Sequence, residues 1–146
     1  MPKPLPGDDH VVRFVKNRLL RRGDEDDVVV GALPQAFFRR PDEEYLSVTW
    51  VQHFSSDYEL GLRASAAAMR SQLTIKPRDG FSTGKVGRIA EICVGNSCRV
   101  RILHEPEPPE NPGHSAIRGL PAEDMDLFAL LADEAFIDTR LSATLG

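Results

Sequence analysis

Between Leu46 and Phe54 the side chains alternate without a break. Leu46, Val48, Trp50, Gln52 and Phe54 fall on one side, Ser47, Thr49, Val51 and His53 on the other. Successive side chains of an extended chain point to opposite faces, so this period of two demands a half-buried strand. Such a strand needs hydrogen-bonded neighbours and a layer over its apolar face, which commits the chain to a sheet with something packed on it.

Neighbours are expected at His10–Val15, where β-branched residues favour extended chain, and at Val28–Val30, a short buried strand after a turn at Asp24–Asp27 and before Pro34. Thr74–Lys76 reads as a short strand, and residues 86–103 read as a hairpin turning at Gly95-Asn96. Two helices are expected. The first spans about 57–72, with Ser55, Ser56 and Asp57 as cap types and Leu62, Ala66, Met69 and Leu73 as its apolar stripe. The second spans about 121–136, with Pro121 in the first turn, Glu123, Asp124 and Asp126 at the positive end of the dipole, and Met125, Phe128, Leu131, Ala132 and Phe136 on its apolar face. The fold class is therefore α+β, a mostly antiparallel sheet of about five strands packed by two main helices. Trp50, Phe54, Leu62, Met69, Ile89, Val100, Ile102, Phe128 and Leu131 are its expected core.

The chain has 146 residues, 41% apolar and 27% charged, which suits one hydrophobic core. Residues 1–9 carry alternating prolines and read as a loose segment, 10–137 as a single α+β domain, and 138–146 as a frayed tail. Five of the eleven prolines lie between Glu105 and Pro121, so that stretch is expected to be stiff, extended and irregular. No apolar run approaches the roughly 18 residues that cross a membrane. The N-terminus has no apolar leader core, so a cytoplasmic location and no membrane partner are expected.

The formal charge of −4 is a remainder. Residues 1–23 are net +4, 24–56 net −5, 57–104 net +4 and 105–146 net −7. Opposite blocks are expected to pack together, or the acidic ones to face a partner. On the hairpin reading, Arg88, Arg99 and Arg101 share one face. That strip is an anion-binding candidate that would take nucleic-acid phosphate, although pairing with the acidic C-terminal helix is favoured and the overall charge disfavours a nucleic-acid partner. The same reading puts Cys93 opposite Cys98 as small buried thiols, with a redox disulfide or a metal pair as alternatives.

Gly80-Phe81-Ser82-Thr83-Gly84-Lys85 fails as a phosphate loop. Three residues rather than four separate its glycines and Val86 follows the lysine, so it reads as a flexible glycine turn. His104 and His114 bracket the proline-rich segment and read first as a hydrogen-bonded strand-end residue and a cap or surface group; the alternatives are one catalytic or anion-binding cleft for both between the sheet and the last helix, or metal ligation with Glu105, Glu107 and Glu110 between them. Their spacing matches no metal motif, and neither a metal nor a cofactor is expected. His10 and Arg13 on an early strand, with Ser47 and Thr49 on the central one, resemble the groups with which ADP-ribosyltransferase-like folds grip a dinucleotide, but no late catalytic Glu follows. The candidate catalytic set is His10, Arg13, Ser47, His104 and His114.

His10-Val11-Val12-Arg13, Gln35-Ala36-Phe37, Glu44 to Trp50, His104-x-Pro106, Asn111 to Ile117 and Gly119-Leu120-Pro121 together resemble a family of small uncharacterised bacterial proteins. The resemblance brings no assigned activity. It implies a setting beside mobile-element or phage-defence genes, and it leads one to expect an acid where Gln52 stands. The expected function is a non-catalytic accessory or protein-interaction module of such a system, with a protein partner or a second copy of the chain. The alternative is a small enzyme or nucleotide-binding protein, ADP-ribosyltransferase-like or phosphate-handling, built on the His/Arg/Ser cleft.

Overall fold

The computed structural model describes residues 2–24, 26–107 and 109–145. Met1, Glu25, Pro108 and Gly146 lie outside them, so the Asp24–Asp27 turn, the proline-rich stretch and both chain ends are described only in part. The strands are β1 (Lys3–Pro4), β2 (His10–Val15), β3 (Leu20–Arg22), β4 (Val29–Ala32), β5 (Tyr45–Trp50), β6 (Gly80–Lys85), β7 (Arg101–His104), β8 (His114–Arg118) and β9 (Asp138–Leu141). The helices are α1 (Val51–Phe54), α2 (Tyr58–Arg70), α3 (Val86–Gly95) and α4 (Met125–Leu130), which continues as a wider π-type turn over Leu131–Ala135.

The fold is α+β, as expected, with more strands than expected. Seven form one sheet in the order β1-β7-β8-β5-β2-β6-β9, with every pairing antiparallel, and β3-β4 form a separate ribbon. Helix α2 covers one face, where Val12 and Phe81 of the sheet meet Leu62, Ala66 and Met69. The other face carries the larger core. There Val11, Val15, Leu46, Val48 and Ile117 pack under Ile89 of α3, Phe128 of α4, Phe37 and Phe136. Of the expected core, Leu62, Met69, Ile89, Ile102, Phe128 and Leu131 are buried, and Trp50 and Val100 are partly buried against it.

Several local expectations are corrected. The hairpin over 86–103 is absent, because Val86, Ile89, Ile92 and Cys93 recur at helical spacing and form the buried stripe of α3. Asn96 is that helix's C-cap and Ser97 adopts the left-handed conformation (φ 60°), so Gly95-Asn96 ends a helix instead of turning a hairpin. The glycine turn at 80–85 is β6, an interior strand. Its glycines serve close approach: a Cβ on Gly84 would lie 3.0 Å from the Ala135 carbonyl oxygen and 3.2 Å from the Phe136 ring. β5 stops at Trp50, and Val51 to Phe54 turn into α1. Thr74–Lys76 is not a strand, and Val28 and Val30 are exposed on the ribbon rather than buried.

The proline-rich stretch holds β8, whose five residues are proline-free and pair on both sides. Asp124, not Pro121, begins the last helix, its carboxylate accepting the Leu127 amide. Neither end is loose where described. Lys3–Pro4 pair with β7, and β9, in the segment expected to fray, pairs with β6 over four residues. The acidic C-terminal block does meet basic segments, with Arg21 on Asp133 and Arg88 on Glu134.

Candidate functional site

At the centre of the sheet β2 and β5 pair over only two positions, Val11–Trp50 and Val12–Thr49, and then part. Arg13 occupies the gap. Its Nε donates to the Ala36 carbonyl (2.7 Å) and its Nη1 to the Ser47 carbonyl (2.8 Å), so a guanidinium replaces the missing ladder bonds. Burial pushes its pKa down to about 10, with Glu43 opposing the shift, which leaves it charged at neutral pH.

Where the strands part, a cavity of about 270 Å³ opens between the sheet and the C-terminal end of α2. Arg13, Ser47, Thr49 and His114 line its sheet side, Met69, Gln72 and Leu73 its helix side, and Glu107 and Asn111 its rim. The β5-β8 register sets Thr49 opposite His114 and Ser47 opposite Ala116, so Ser47 and His114 share a face. The Ser47 Oγ lies 2.6 Å from His114 Nε2. On the other side of the ring, Nδ1 lies 2.8 Å from the Glu105 carbonyl. A carbonyl only accepts, so Nδ1 carries the proton, Nε2 is left as the acceptor, and the serine hydroxyl donates to it.

The groups around the pair hold it in place. The Tyr45 ring stands edge-on to His114 at 5.9 Å, and Arg118 covers Tyr45 while binding Glu105 through two bonds of 2.7 Å. Burial, and then Glu107 and Glu105, push the Tyr45 phenol up, keeping it protonated. The Glu107 carboxylate lies 3.8 Å from His114 Nε2 and accepts from Gln72. Asn111 donates to Thr49 Oγ1 and accepts the Gly113 amide, shaping the turn that delivers His114.

Of the five candidate residues, Arg13, Ser47 and His114 meet here and two do not. His104 pairs with Ser115, one residue on from His114, and so lies on the opposite face. There it packs on Trp50 and His53 and bonds the Pro112 carbonyl as a hydrogen-bonded strand-end residue, and the alternative of a single cleft for both histidines does not form. His10 lines a separate cavity. The arginine strip does not form either: Arg88 is on α3, bound to Glu91 and Glu134, while Arg101 is on β7. Cys93 is buried and Cys98 half-buried, both free at the end of α3. Among the described residues no cluster of three or more His, Cys, Asp or Glu could hold a metal, and no helix is long and apolar enough to cross a membrane.

Sequence reasoning gave no site role to Tyr45, Gln72 or Asn111, and named Glu107 only among the acids between His104 and His114. Asn111-Pro112-Gly113 carries a turn signature, the one local hint that this segment positions something. The resemblance residues Arg13, Ser47, Asn111 and His114 all line the one cavity. No protein-family model, curated protein or solved structure matches the chain.

Proposed function

We propose that the Ser47–His114 cavity is the active site of a small acyl hydrolase or acyltransferase. The observation that carries this reading is the 2.6 Å contact between Ser47 Oγ and an imidazole nitrogen left as an acceptor by the Glu105 carbonyl. In the proposed reaction the Ser47 proton passes to His114 Nε2 as Oγ attacks an ester or thioester carbonyl. Charge collects on the carbonyl oxygen near the Arg13 guanidinium, whose fixed position suits an oxyanion. His114 then protonates the departing alkoxide or thiolate, and a second acceptor, water or another hydroxyl, releases the acyl group from Ser47 by the reverse relay. A cavity of about 270 Å³ suits a short acyl group, and the Ser47–His114 contact favours this reading over the ADP-ribosyltransferase-like one.

The test is labelling with a fluorophosphonate probe followed by intact mass and peptide mapping, beside hydrolysis of p-nitrophenyl acetate. Modification is expected on Ser47, lost in Ser47→Ala and reduced at least tenfold in His114→Gln, with melting temperatures confirming that both variants fold. An unlabelled wild type, or hydrolysis unchanged in both variants, refutes the assignment.

A second reading rests on a different observation. Val28, just before β4, and Val30 within it are 55% and 56% exposed, a small apolar ridge beside the β3-β4 ribbon that a second copy of the chain would cover. Light scattering of wild type and a Val28→Ser/Val30→Ser variant tests it: a dimer lost in the variant supports the interaction-module reading, and a wild-type monomer at 100 micromolar refutes it.

A further inference from the structure

A second cavity, of about 460 Å³, lies on the same face of the sheet and shares no lining residue with the first. Its floor comes from three adjacent strands. The registers set His10 opposite Lys85 and Thr83 opposite Asp138, bringing all four to one place. Tyr58, at the start of α2, stands over the floor, and Ala135 and Ile137 complete the wall.

The polar groups here are unevenly satisfied. Asp138 is fully engaged, accepting from the Tyr58 hydroxyl (2.7 Å) and from Arg140. Thr83 is 2% exposed, yet its hydroxyl oxygen has no hydrogen-bond partner among the described residues. Thr83 is near enough to the Tyr58 oxygen for its hydroxyl to weigh on the phenol as a hydrogen-bond donor, but the pair falls outside bonding geometry, and the Tyr58 proton goes to Asp138. Buried hydroxyls are rarely left so, and one lining a cavity calls for a ligand atom.

Gln52 fixes the tautomer of His10. Its side-chain oxygen accepts the His10 amide (2.7 Å), so its amide nitrogen faces Nδ1 (2.9 Å) and the ring proton resides on Nε2. Burial and the nearby Lys85 hold the His10 pKa down, so the ring is a neutral donor. Arg88 is bound by Glu91 and Glu134, whereas Lys85 has only a 3.7 Å contact with the fully exposed Asp8 carboxylate, a weak pair in water. The unspent donors are therefore Lys85, Thr83 and the His10 N–H. The apolar surfaces beside them are the Tyr58 ring and Ile137, which is 76% exposed.

We propose that this cavity binds a small planar carboxylate, its anionic end received by Lys85, Thr83 and the His10 N–H, its ring held between Tyr58 and Ile137. The volume suits a ligand of single-ring size, and the ring would remove the exposed isoleucine from water.

Saturation-transfer NMR with benzoate at millimolar concentration tests this, with benzamide as the uncharged isostere. Transfer to benzoate is expected in wild type and in Ser47→Ala. It should fall at least fivefold in Lys85→Gln and in Thr83→Val, whose folding is checked by melting temperature, and it should be weak for benzamide throughout. No transfer to benzoate in wild type, equal transfer in the two cavity variants, or benzamide matching benzoate each overturns the proposal. Because Ser47→Ala is included, failure here leaves the acyl-transfer assignment to stand or fall on its own labelling experiment.

Discussion

Replacing Arg13 with methionine separates a stitched sheet from one that needs no stitch. The side chain keeps its apolar stem, but the Ala36 and Ser47 carbonyls lose bonds of 2.7 and 2.8 Å to a charged donor. Hydrogen bonds to charged groups contribute roughly 1.5–3 kcal/mol each, so about 3–6 kcal/mol is lost gross. Part of this returns, because removing the enclosed cation also removes a desolvation cost, and because water in the cavity can reach the Ser47 carbonyl. A net loss of about 2–4 kcal/mol is expected. For a chain of this size that corresponds to a fall in melting temperature of about 5–15 °C. Trp50 is the single tryptophan and sits in the last β2-β5 pair, so urea unfolding followed by its fluorescence reports on the strand in question. Arg13→Lys should fall in between, since an ammonium cannot fork to two carbonyls as a guanidinium does. A methionine variant within 1 kcal/mol of wild type would show that the parted strands close without the guanidinium.

Three further outcomes are expected. Gly113→Ala places a Cβ 2.6 Å from the Phe54 ring, next to the residue that delivers His114; a loss of about 1–3 kcal/mol by urea unfolding is expected, and unchanged stability would mean that the Phe54 ring swings away freely. Burial pushes the Asp138 carboxyl up, but bonds from Arg140 and Tyr58 outweigh it and the pKa ends below its ordinary value. Its contribution to stability is therefore present above the unfolded pKa of about 4 and is lost as pH falls through the lower folded value, so the stability gap between wild type and Asp138→Asn should narrow below about pH 4; a gap constant from pH 7 to 3 counts against this. Burial, with help from neighbouring Cys98, pushes the Cys93 thiol up to about 12, so at pH 8 a disulfide reagent should modify Cys98 and spare Cys93 until denaturant is added; rapid modification of Cys93 in the native protein contradicts the buried placement.

The elements legible in the sequence were those with a clean period. The alternation at Leu46–Trp50, the β-branched run at His10–Val15 and the capped stripe of α2 all lie where expected. The misread elements share one cause, since their composition answers to a neighbour and not to the local chain. Gly84 in β6 looks like a turn residue because the Ala135 carbonyl presses on it. β9 shows no apolar period because it is an edge strand with all four residues half-buried. Ile89-Ala90-Glu91-Ile92-Cys93 fits a strand by propensity and a helix by spacing, and spacing prevailed once Ile89 and Ile92 met the sheet. The site was legible as residue types, while its grouping depended on register. The β5-β8 register decides that His114 faces Ser47, and a shift of one residue between β7 and β8 decides that His104 does not.

The narrow β2-β5 junction has a consequence for how the chain can be divided. It joins two blades, β1-β7-β8-β5 and β2-β6-β9, whose shared ladder is two residue pairs and one guanidinium. Along the chain the blades are interleaved from residue 3 to residue 141, with β7 and β8 the one consecutive pair from the same blade. No single cut puts the two blades on separate fragments. The seam that looks weakest in space is therefore protected by connectivity, because each blade can be completed only while the other is being built. Such a chain should fold late and all at once, with most of its loops closed over long sequence separations. Split halves should complement each other only when present together.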